Sequence, residues 1–281
     1  MALDTLRLLA SCPDRPGIIS TVSGFLYERG ANIVRSDQYT SDDGTFYLRM
    51  EFTVPTGHRV DLVETYGLAV ANPYGMSWRV ADSRYVKRIA ILASKADHCL
   101  VDLLWRWRRG QLPAQVTLVA SNHPDVGPTV ESFGLPFHHV PVPPGRKADA
   151  EADLADVLED QCDLVVLARY MQILSGGFLG KIGVPVINIH HSFLPAFPGA
   201  GPYERARARG VKLIGATAHY VTEDLDEGPI IEQDVIRVSH RDDTARLARL
   251  GADVERTVLA RAVQWHCEDR LLRHRGTVVV F

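Results

Sequence analysis

The sequence lacks the features that mark several large classes of protein. It has 4 cysteines among 281 residues and no CxxC pair, so neither a zinc finger nor a disulfide scaffold is predicted. No apolar run approaches the length that spans a bilayer, and the one at residues 6–10 is too short for a signal peptide. A net charge of -3 gives no reason to expect a nucleic-acid or membrane partner. We expect a globular protein of the reducing cytoplasm.

A glycine-rich phosphate loop is also missing. Residues 87–94 read as an apolar strand that ends at Ser94 and Lys95, where a dinucleotide-binding fold would place GxGxxG. Without that turn, a nicotinamide or flavin cofactor is not expected, and no phosphate cradle is predicted at the start of the next helix. We therefore predict no cofactor.

Two α/β patterns follow one another along the chain. The first covers residues 1–83 and has the order βαββαβ, which predicts a split βαβ sandwich of the ferredoxin-like type. Its strands are expected at residues 3–10, 32–39, 45–54 and 76–81, and its helices at residues 16–29 and 58–71. The junction is expected at residues 83–85.

The second pattern covers residues 84–281 and largely alternates strands with helices. Its strands are expected at residues 87–94, 115–120, 137–140, 164–167, 184–189, 213–220, 230–238 and 277–281. Its helices are expected at residues 97–109, 125–133, 148–160 and 244–267. Because parallel strands need crossover connections, this alternation predicts a doubly wound, mostly parallel sheet. The predicted fold class is α/β, with a small domain before a larger one.

Three polar side chains lie at strand ends of the second pattern. Asn188 and His190 are two residues apart at the end of an apolar strand, so both face the same side of it. Asp226 follows a strand that contains His219. Since ligands of open α/β sheets sit at the carboxyl ends of strands, we expect these groups to converge. An amide that stabilises an oxyanion, with an imidazole and a carboxylate that move protons, predicts chemistry at a carbonyl carbon.

Each of these residues also has a structural interpretation. Asn188 can hydrogen-bond a turn, and Asp226 can be an exposed loop carboxylate. His191 faces the other side of the strand, where its default role is packing. Several histidines near carboxylates also suggest a metal site, but no HExxH spacing exists and asparagine is a poor zinc ligand, so no metal is predicted.

Residues 1 to about 82 resemble an ACT domain. The resemblance lies in the βαββαβ order, the segment DRPGI at residues 14–18, and the asparagine that opens the second strand. It implies that copies of the chain pair into a homo-oligomer and that an amino acid binds where they meet. The effector or interface candidates are Asp14, Arg15, Pro16, Gly17 and Asn32.

The chain from about residue 86 onward resembles the formyltransferase core of enzymes that use 10-formyltetrahydrofolate. The matching signature is Asn188-Ile189-His190, Ser192, Leu194-Pro195, His219 and Leu225-Asp226-x-Gly228-Pro229. The segments SKADHCLVDLLWR, SNHPD, YMQIL and HHSFLP favour a deformylase over a transferase, which usually has Pro at position 191 and a glycine-rich loop at residues 94–99. Together the two halves resemble the formyltetrahydrofolate deformylase family over essentially the whole chain.

The resemblance implies hydrolysis of 10-formyltetrahydrofolate to formate and tetrahydrofolate, a reaction of one-carbon metabolism linked to purine biosynthesis. It implies Asn188, His190 and Asp226 as catalytic residues, with His219 positioning Asp226 or His190. The residues expected to bind the folate are Tyr170, Met171, Gln172, Ile173, Leu174, Tyr220, Val221 and Leu225. Residues 94–99 and 197–203 are expected to close the acceptor side, although Gly201 stands where the family commonly has Lys or Arg.

Two alternative functions remain open. The first is a 10-formyltetrahydrofolate-dependent formyltransferase that acts on an amine acceptor. The second is a regulator that binds folate and an amino acid without turnover. Release of formate from 10-formyltetrahydrofolate with no amine added distinguishes a hydrolase from both.

Overall fold

The computed structural model describes residues 2–57, 59–196 and 201–281, which form two compact units. The first unit consists of the chain up to Val86 together with Glu268–His274 and Val279–Phe281. The second consists of Lys87–Cys267 and Arg275–Val278. Much of the chain end therefore belongs to the first unit, although the sequence pattern groups residues 84–281 in one domain.

The first unit is built on a four-stranded antiparallel sheet with the order β2-β3-β1-β4. Its strands are β1 (Leu3–Pro13), β2 (Asn32–Thr40), β3 (Thr45–Pro55) and β4 (Ser77–Asp82). Its helices are α1 (Ile18–Glu28), α2 (Arg59–Tyr66) and the short α3 (Asn72–Tyr74), with a π-helical turn at Gly67–Ala71 between the last two. Alternate residues of β1 and β3, such as Leu8 and Met50, pack against α1 in one apolar core. The βαββαβ order is the predicted one.

The two helices predicted for this unit differ from the observed ones. The first begins at Ile18 because Gly17 has φ 95°, a left-handed conformation that an α-helix does not allow. The single helix predicted for residues 58–71 is wrong in its second half, where the chain makes the π-helical turn. Residue 58 itself lies outside the described residues. Neither difference changes the strand order.

The terminal segment joins the first unit through buried polar contacts. Arg49, which is 4% exposed, donates from Nε to the backbone oxygen of Asp269 at 2.9 Å. The carboxylate of Asp269 lies 2.7 Å from Arg79 Nη1 and 3.4 Å from Arg7 Nη1. This segment contains β12 (Leu271–His274), which pairs with β13 (Thr277–Val280) in a two-stranded sheet. Apolar periodicity carries no information about such ion pairs, so the sequence pattern misses this assignment.

The second unit is a seven-stranded sheet with the order β11-β10-β9-β8-β5-β6-β7. Its strands are β5 (Lys87–Ala93), β6 (Ala114–Ser121), β7 (Phe137–His139), β8 (Leu164–Ala168), β9 (Val186–His190), β10 (Leu213–Tyr220) and β11 (Ile230–Arg237). Its helices are α4 (His98–Arg108), α5 (Gly127–Ser132), α6 (Lys147–Leu158), α7 (Gly176–Ile182), α8 (Pro202–Arg209) and α9 (Thr244–Cys267). The neighbouring strands β9, β8, β5, β6 and β7 pair in parallel. The strand β10 runs antiparallel to both of its neighbours, β9 and β11. The sheet is mostly parallel, as predicted.

Three further elements, α7, α8 and β12, are absent from the predicted set. The helix α7 contains Gly176, Gly177 and Gly180, which are poor helix formers, so its sequence does not read as helical. It begins instead at Ser175, whose hydroxyl accepts from Phe178 N. The helix α8 is largely charged and lacks apolar periodicity, and β12 is only four residues long.

The sheet brings the ends of β8 and β9 to one edge. These strands are parallel neighbours, with Leu167 opposite Asn188. The next strand, β10, runs antiparallel to β9 and places His219 opposite Asn188 and Thr217 opposite His190. The register of two strand pairs therefore gathers the predicted polar residues.

Two further predictions concern cysteines and membranes. All four cysteines are free thiols and all are buried. Among the described residues, no helix is long and apolar enough to cross a membrane.

Candidate active site

A cavity of about 260 Å³ lies at the edge where β8 and β9 end. Its lining includes Asn188, His190, His219 and Asp226, so the four predicted residues share one cavity. One wall comes from the segment after β8 and the other from the loop between β10 and β11. This is the place at which open α/β sheets bind ligands.

The amide of Asn188 is oriented by His219. The Nδ1 of His219 lies 3.0 Å from the backbone oxygen of Tyr220, and since a carbonyl only accepts, this nitrogen carries the proton. Burial lowers the pKa of His219, which keeps the ring neutral and leaves a lone pair on Nε2. The Nδ2 of Asn188 lies 3.2 Å from that Nε2 and donates to it. The amide nitrogen therefore faces His219, and its second N–H remains for a ligand.

The loop that carries Asp226 folds back tightly on β10. Tyr220 N donates to the backbone oxygen of Pro229 at 2.9 Å. A Cβ on Gly228 would lie 1.7 Å from the backbone oxygen of Tyr220, so only glycine allows this approach. Asp226 itself has φ 59°, which is unfavourable for a residue with a side chain. Strained backbone of this kind is found most often at functional sites.

His190 connects Asp226 to the interior of the cavity. Its Nδ1 lies 3.3 Å from Asp226 Oδ1, and His219 Nε2 lies 3.8 Å from the same oxygen. Its Nε2 is buried and has no hydrogen-bond partner in the protein. A buried polar atom without a partner is unfavourable unless a ligand supplies one. The structure therefore leaves one ring nitrogen of His190 available to a bound molecule.

The local charges keep Asp226 ionised. The hydrogen bond from His190 lowers the pKa of Asp226, and although burial acts in the opposite direction, the nearby histidines add to the lowering. The neighbouring His191 behaves differently, because burial and the positive charge of Arg169 lower its pKa to about 4. At neutral pH the cavity therefore contains an ionised Asp226 beside a neutral His191.

Apolar side chains form the mouth of the cavity. Met171, Ile173 and Leu225 are 56%, 57% and 56% exposed, which is high for side chains of this type. Of the predicted folate-binding residues, those that line the cavity are Tyr170, Met171, Gln172, Ile173, Leu174, Val221 and Leu225. Exposed apolar groups around a polar centre favour a ligand that has both an apolar and a polar part.

Tyr220 is the predicted folate-binding residue that the structure leaves outside the cavity lining. Successive side chains of a strand point to opposite faces, so Tyr220 faces away from the side that His219 occupies. Its hydroxyl lies 2.8 Å from His266 Nδ1 in α9, and its ring packs in edge contact with His266. The period of two was readable in the sequence and could have corrected this prediction.

Two side chains outside the predicted catalytic and folate-binding residues hold the walls in place. Ser94, at the end of β5, accepts from Met171 N at 3.0 Å and donates to Asn122 at 2.6 Å. Thr217, which is fully buried, donates to Ser192 O and accepts from Leu194 N, so it fixes the turn after His190. That turn contains a cis Leu194–Pro195 bond. A serine or threonine in an apolar strand was the only sequence signal.

A cluster of charged and polar side chains lies behind this cavity. Glu255 in α9 is 1% exposed, and its carboxylate accepts from Tyr203 Oη at 2.7 Å and from His98 Nε2 at 2.8 Å. Arg169 Nη1 lies 3.6 Å from the same carboxylate. Burial alone would raise the pKa of Glu255, but these partners lower it overall. We call Arg169, His98, Tyr203 and Glu255 the Glu255 cluster, and no sequence motif pointed to it.

His98, Cys99 and Glu255 also have potential ligand atoms within 4.8 Å of one another. A metal ion would need a thiolate, whereas burial raises the pKa of Cys99 well above its ordinary value. The guanidinium of Arg169 beside Glu255 also opposes a second cation. These residues therefore fit a hydrogen-bonded cluster better than a metal site.

The candidates in the first unit lie around the start of α1. Asp14, Arg15 and Gly17 line a cavity of about 320 Å³. Arg15 donates to the backbone oxygen of Pro73 at 2.5 Å, and its guanidinium lies 4.1 Å from the centre of the Tyr74 ring. The lining does not include Pro16, nor Asn32, which opens β2.

Known proteins resemble the chain along nearly all its length. A family model described as "Formyl transferase" matches residues 87–263, and one described as "ACT domain" matches residues 6–66. A formyltetrahydrofolate deformylase of Mycobacterium bovis is 56% identical over 282 residues, covering 99% of this chain and 91% of the relative. The chain belongs to the formyltetrahydrofolate deformylase family. The predicted family is therefore confirmed.

Comparison with solved structures supports the same family. A formyltetrahydrofolate deformylase from Pseudomonas syringae pv. tomato has a TM-score of 0.94 and 46% identity, and the match covers 100% of this chain and 95% of that one. Glycinamide ribonucleotide transformylase 1 from Symbiobacterium toebii has a TM-score of 0.67 and 31% identity, with 71% and 96% covered. The predicted α/β class, an ACT domain followed by a formyltransferase domain, is confirmed. Deformylases and a glycinamide ribonucleotide transformylase thus share the fold of the core.

Proposed function

We propose that this protein hydrolyses 10-formyltetrahydrofolate to tetrahydrofolate and formate. The observation that carries the proposal is the presence of Asn188, His190 and Asp226 in one cavity with an apolar mouth. Membership of the deformylase family supports the same reaction. Water is the only co-reactant of this hydrolysis, so we propose neither a cofactor nor a metal.

The folate would lie with its pterin between the two walls of the cavity. Met171, Ile173 and Leu225 offer apolar contacts at the mouth, and backbone groups of the same segments can hydrogen-bond the pterin edge. The N10-formyl group would then reach the polar end, where the side chains of Asn188 and His190 lie. This orientation matches apolar surface with apolar surface and the reactive carbonyl with donors.

Water attacks the formyl carbon in the proposed mechanism. The Asp226 carboxylate orients that water and takes its proton as the new C–O bond forms. The lowered pKa of Asp226 keeps it ionised at neutral pH, so it is ready to accept. Because water becomes more acidic as it bonds to the carbonyl, a weakly basic carboxylate is sufficient at that point.

The developing oxyanion would be stabilised by two donors. One is the second N–H of Asn188, whose first N–H is engaged by His219. The other is Nε2 of protonated His190, which has no partner within the protein. When the tetrahedral intermediate collapses, the C–N10 bond breaks and His190 gives a proton to N10. Formate and tetrahydrofolate then leave.

The decisive experiment measures formate from purified protein and 10-formyltetrahydrofolate with no amine present. We expect stoichiometric formate and tetrahydrofolate, and Asp226→Asn should lower turnover by roughly 10²- to 10³-fold. Glu227→Gln, which alters an exposed carboxylate one residue later in the same loop and outside the cavity lining, serves as the matched control. Near wild-type turnover by folded Asp226→Asn would contradict the assigned role.

The same assay separates the two alternatives. The resemblance to the transformylase core favours a formyltransferase as the second candidate. That function requires that formate release be negligible until an amine is supplied. Folate binding without any product across the pH range would instead indicate the regulator.

We further propose that copies of the chain pair and that an amino acid binds the first unit. The match to the ACT domain supports this, as does the cavity that Asp14, Arg15 and Gly17 line. Thermal shifts with each common amino acid would identify an effector, and light scattering would give the oligomeric state. Arg15→Ala should abolish the shift, whereas Arg35→Ala on the exposed strand β2 should not. A monomer that no amino acid stabilises would contradict this proposal.

A further inference from the structure

The Glu255 cluster has no catalytic step in the proposed hydrolysis, yet its side chains make specific hydrogen bonds to one another. Each carboxylate oxygen of Glu255 has its own donor, Tyr203 on one side and His98 on the other. These donors come from the separate helices α8 and α4, and the third neighbour, Arg169, follows β8. Directed hydrogen bonds from several elements fix one arrangement of the side chains around them.

Burying such a carboxylate gives little stability by itself. An apolar side chain of similar size usually stabilises a core as well as a buried ion pair does. The helix α9 is nevertheless shaped to receive Tyr203, because a Cβ on Gly251 would lie 1.9 Å from the Tyr203 hydroxyl oxygen. Glycine in the middle of a helix is itself unfavourable. Both features indicate that the position of Tyr203 matters more than the stability of α9.

The cluster stands directly behind one side of the catalytic cavity. The rings of Tyr203 and His191 are 6.1 Å apart, and those of His191 and His190 are 5.3 Å apart. Arg169 and His191 line the catalytic cavity. His191 also lines a second cavity, of about 330 Å³, to which Tyr203 contributes. His191 therefore stands between the two cavities, and Tyr203 lies on the side of the second one.

This side is where the attacking nucleophile must approach. If the pterin occupies the walls formed by residues 170–174 and 221–225, the side at His191 and Arg169 is left for the second reactant. An amine would react there much as water does. Its nitrogen would bond to the formyl carbon and lose a proton, the C–N10 bond would break, and N10 would take a proton. The catalytic groups themselves do not distinguish the two nucleophiles.

We propose that the Glu255 cluster determines the choice of nucleophile by closing this side to anything much larger than water. Glu255 and Tyr203 are positioning residues in this scheme, since they act by holding His191 and Arg169 in place. The inference rests on the proposed hydrolysis. It also accounts for how one core can serve a deformylase and, in the transformylase of Symbiobacterium toebii, an enzyme named for an amine acceptor.

The experiment offers the full-length protein a competing amine. Purified protein, 10-formyltetrahydrofolate and glycinamide are incubated, and formate and N-formylglycinamide are measured by mass spectrometry. We expect the wild type to release formate with almost no formylated amine. Glu255→Ala, which removes the carboxylate and opens space, should raise the ratio of formylated amine to formate at least tenfold.

Two control variants separate the effect of added space from the effects of lost charge or lost fold. Glu255→Gln keeps the size of the side chain and can still accept from Tyr203, so its ratio should stay near that of the wild type. Asp253→Ala changes an exposed carboxylate on the same helix and should also leave the ratio unchanged. Tyr203→Ala opens the same side from α8 and replaces Glu255→Ala if that variant fails to fold.

The outcomes are distinct. A ratio within twofold of wild type in a folded, active Glu255→Ala or Tyr203→Ala would overturn the proposal. So would an equal rise in Glu255→Gln and Glu255→Ala, because that would assign the effect to charge rather than to space. Absence of any formate from the wild type would instead refute the proposed function.

Discussion

The two units of this protein both bury charged side chains, but they differ in how those side chains are satisfied. In the first unit, Arg49 donates to Asp269 O, and the Asp269 carboxylate, 3% exposed, has arginines at 2.7 Å and 3.4 Å. In the second, the described residues include three buried side-chain atoms without a hydrogen-bond partner. They are His190 Nε2 and two nitrogens of Arg169.

This difference separates structural from functional polar groups. A buried network whose hydrogen bonds are all made within the protein stabilises one arrangement of the chain and needs no ligand. Unpaired atoms remain unfavourable in the free protein and become favourable only when a substrate supplies a partner. His190 and Arg169 both line the catalytic cavity, although Arg169 Nη1 also lies 3.6 Å from the Glu255 carboxylate. Substitutions in the two units should therefore affect different quantities.

The largest effect is expected from His190→Ala. Turnover should fall by roughly 10²- to 10³-fold, because the variant loses a donor to the oxyanion. The melting temperature should fall only slightly, because the contact with Asp226 is lost but an unfavourable unpaired buried nitrogen is removed with it. Formate release and calorimetry measure the two quantities. His139→Ala, on β7 at the far edge of the same sheet, should alter neither.

Asp269→Ala should show the opposite behaviour. The free energy of unfolding should decrease by about 2 kcal/mol, because Arg7 and Arg79 lose the buried carboxylate that pairs with them. Turnover per folded molecule should stay at the wild-type value. Urea unfolding gives the first number. The comparison fails if Asp269→Ala is no less stable than Asp149→Ala, which breaks an exposed ion pair with Arg146.

His219→Phe is expected to have an intermediate effect on turnover alone. The ring remains, but Asn188 loses the acceptor that orients its amide. A loss of about tenfold in kcat corresponds to about 1.4 kcal/mol, the size of one net hydrogen bond. The Michaelis constant should change little. If Asn188→Ala and His219→Phe both left kcat unchanged, the orienting role would be wrong.

The smallest effect concerns pH. The folded pKa of His191 is about 4, whereas an unfolded histidine has a pKa near 6.5. Between these values the unfolded chain binds more protons, so this group makes stability fall as pH drops from 6.5 towards 4. His191→Asn should therefore show a shallower fall in melting temperature over that window. An identical slope in the two proteins would contradict the assigned burial.

Asp226 affects the stability of the protein over a lower range of pH. Its folded pKa is lowered, so its contribution to stability is present above the unfolded pKa near 4 and is lost as pH falls further. The difference in melting temperature between wild type and Asp226→Asn should accordingly shrink only below about pH 4. A difference that shrinks between pH 7 and pH 5 would indicate another group.

Local sequence patterns predicted most of the helices and strands. The predicted helix at residues 244–267 matches α9, because its apolar stripe repeats with the helical period over its whole length. The spacing of Asn188 and His190 likewise placed both on one face of β9. The helix α7 was not predicted, because its glycines have low helix propensity and the helix depends on tertiary packing.

Contacts between side chains that are distant in the sequence could not be predicted from local patterns. Asn188 and His219 are 31 residues apart, and their contact depends on the register of β9 against β10. Glu255 reads as one more charge on an amphipathic helix, yet the structure buries it against Tyr203 and His98. Nothing in the local sequence distinguishes it from an exposed glutamate.

The sequence by itself determined which segments form strands and helices and which polar residues stand at strand ends, since both follow from short-range periodicity. Only the tertiary structure decided which of those residues are paired and which are left unpaired. The reason is physical: burial and hydrogen-bond partners depend on strand register and on the path of loops, which the packing of the whole unit sets.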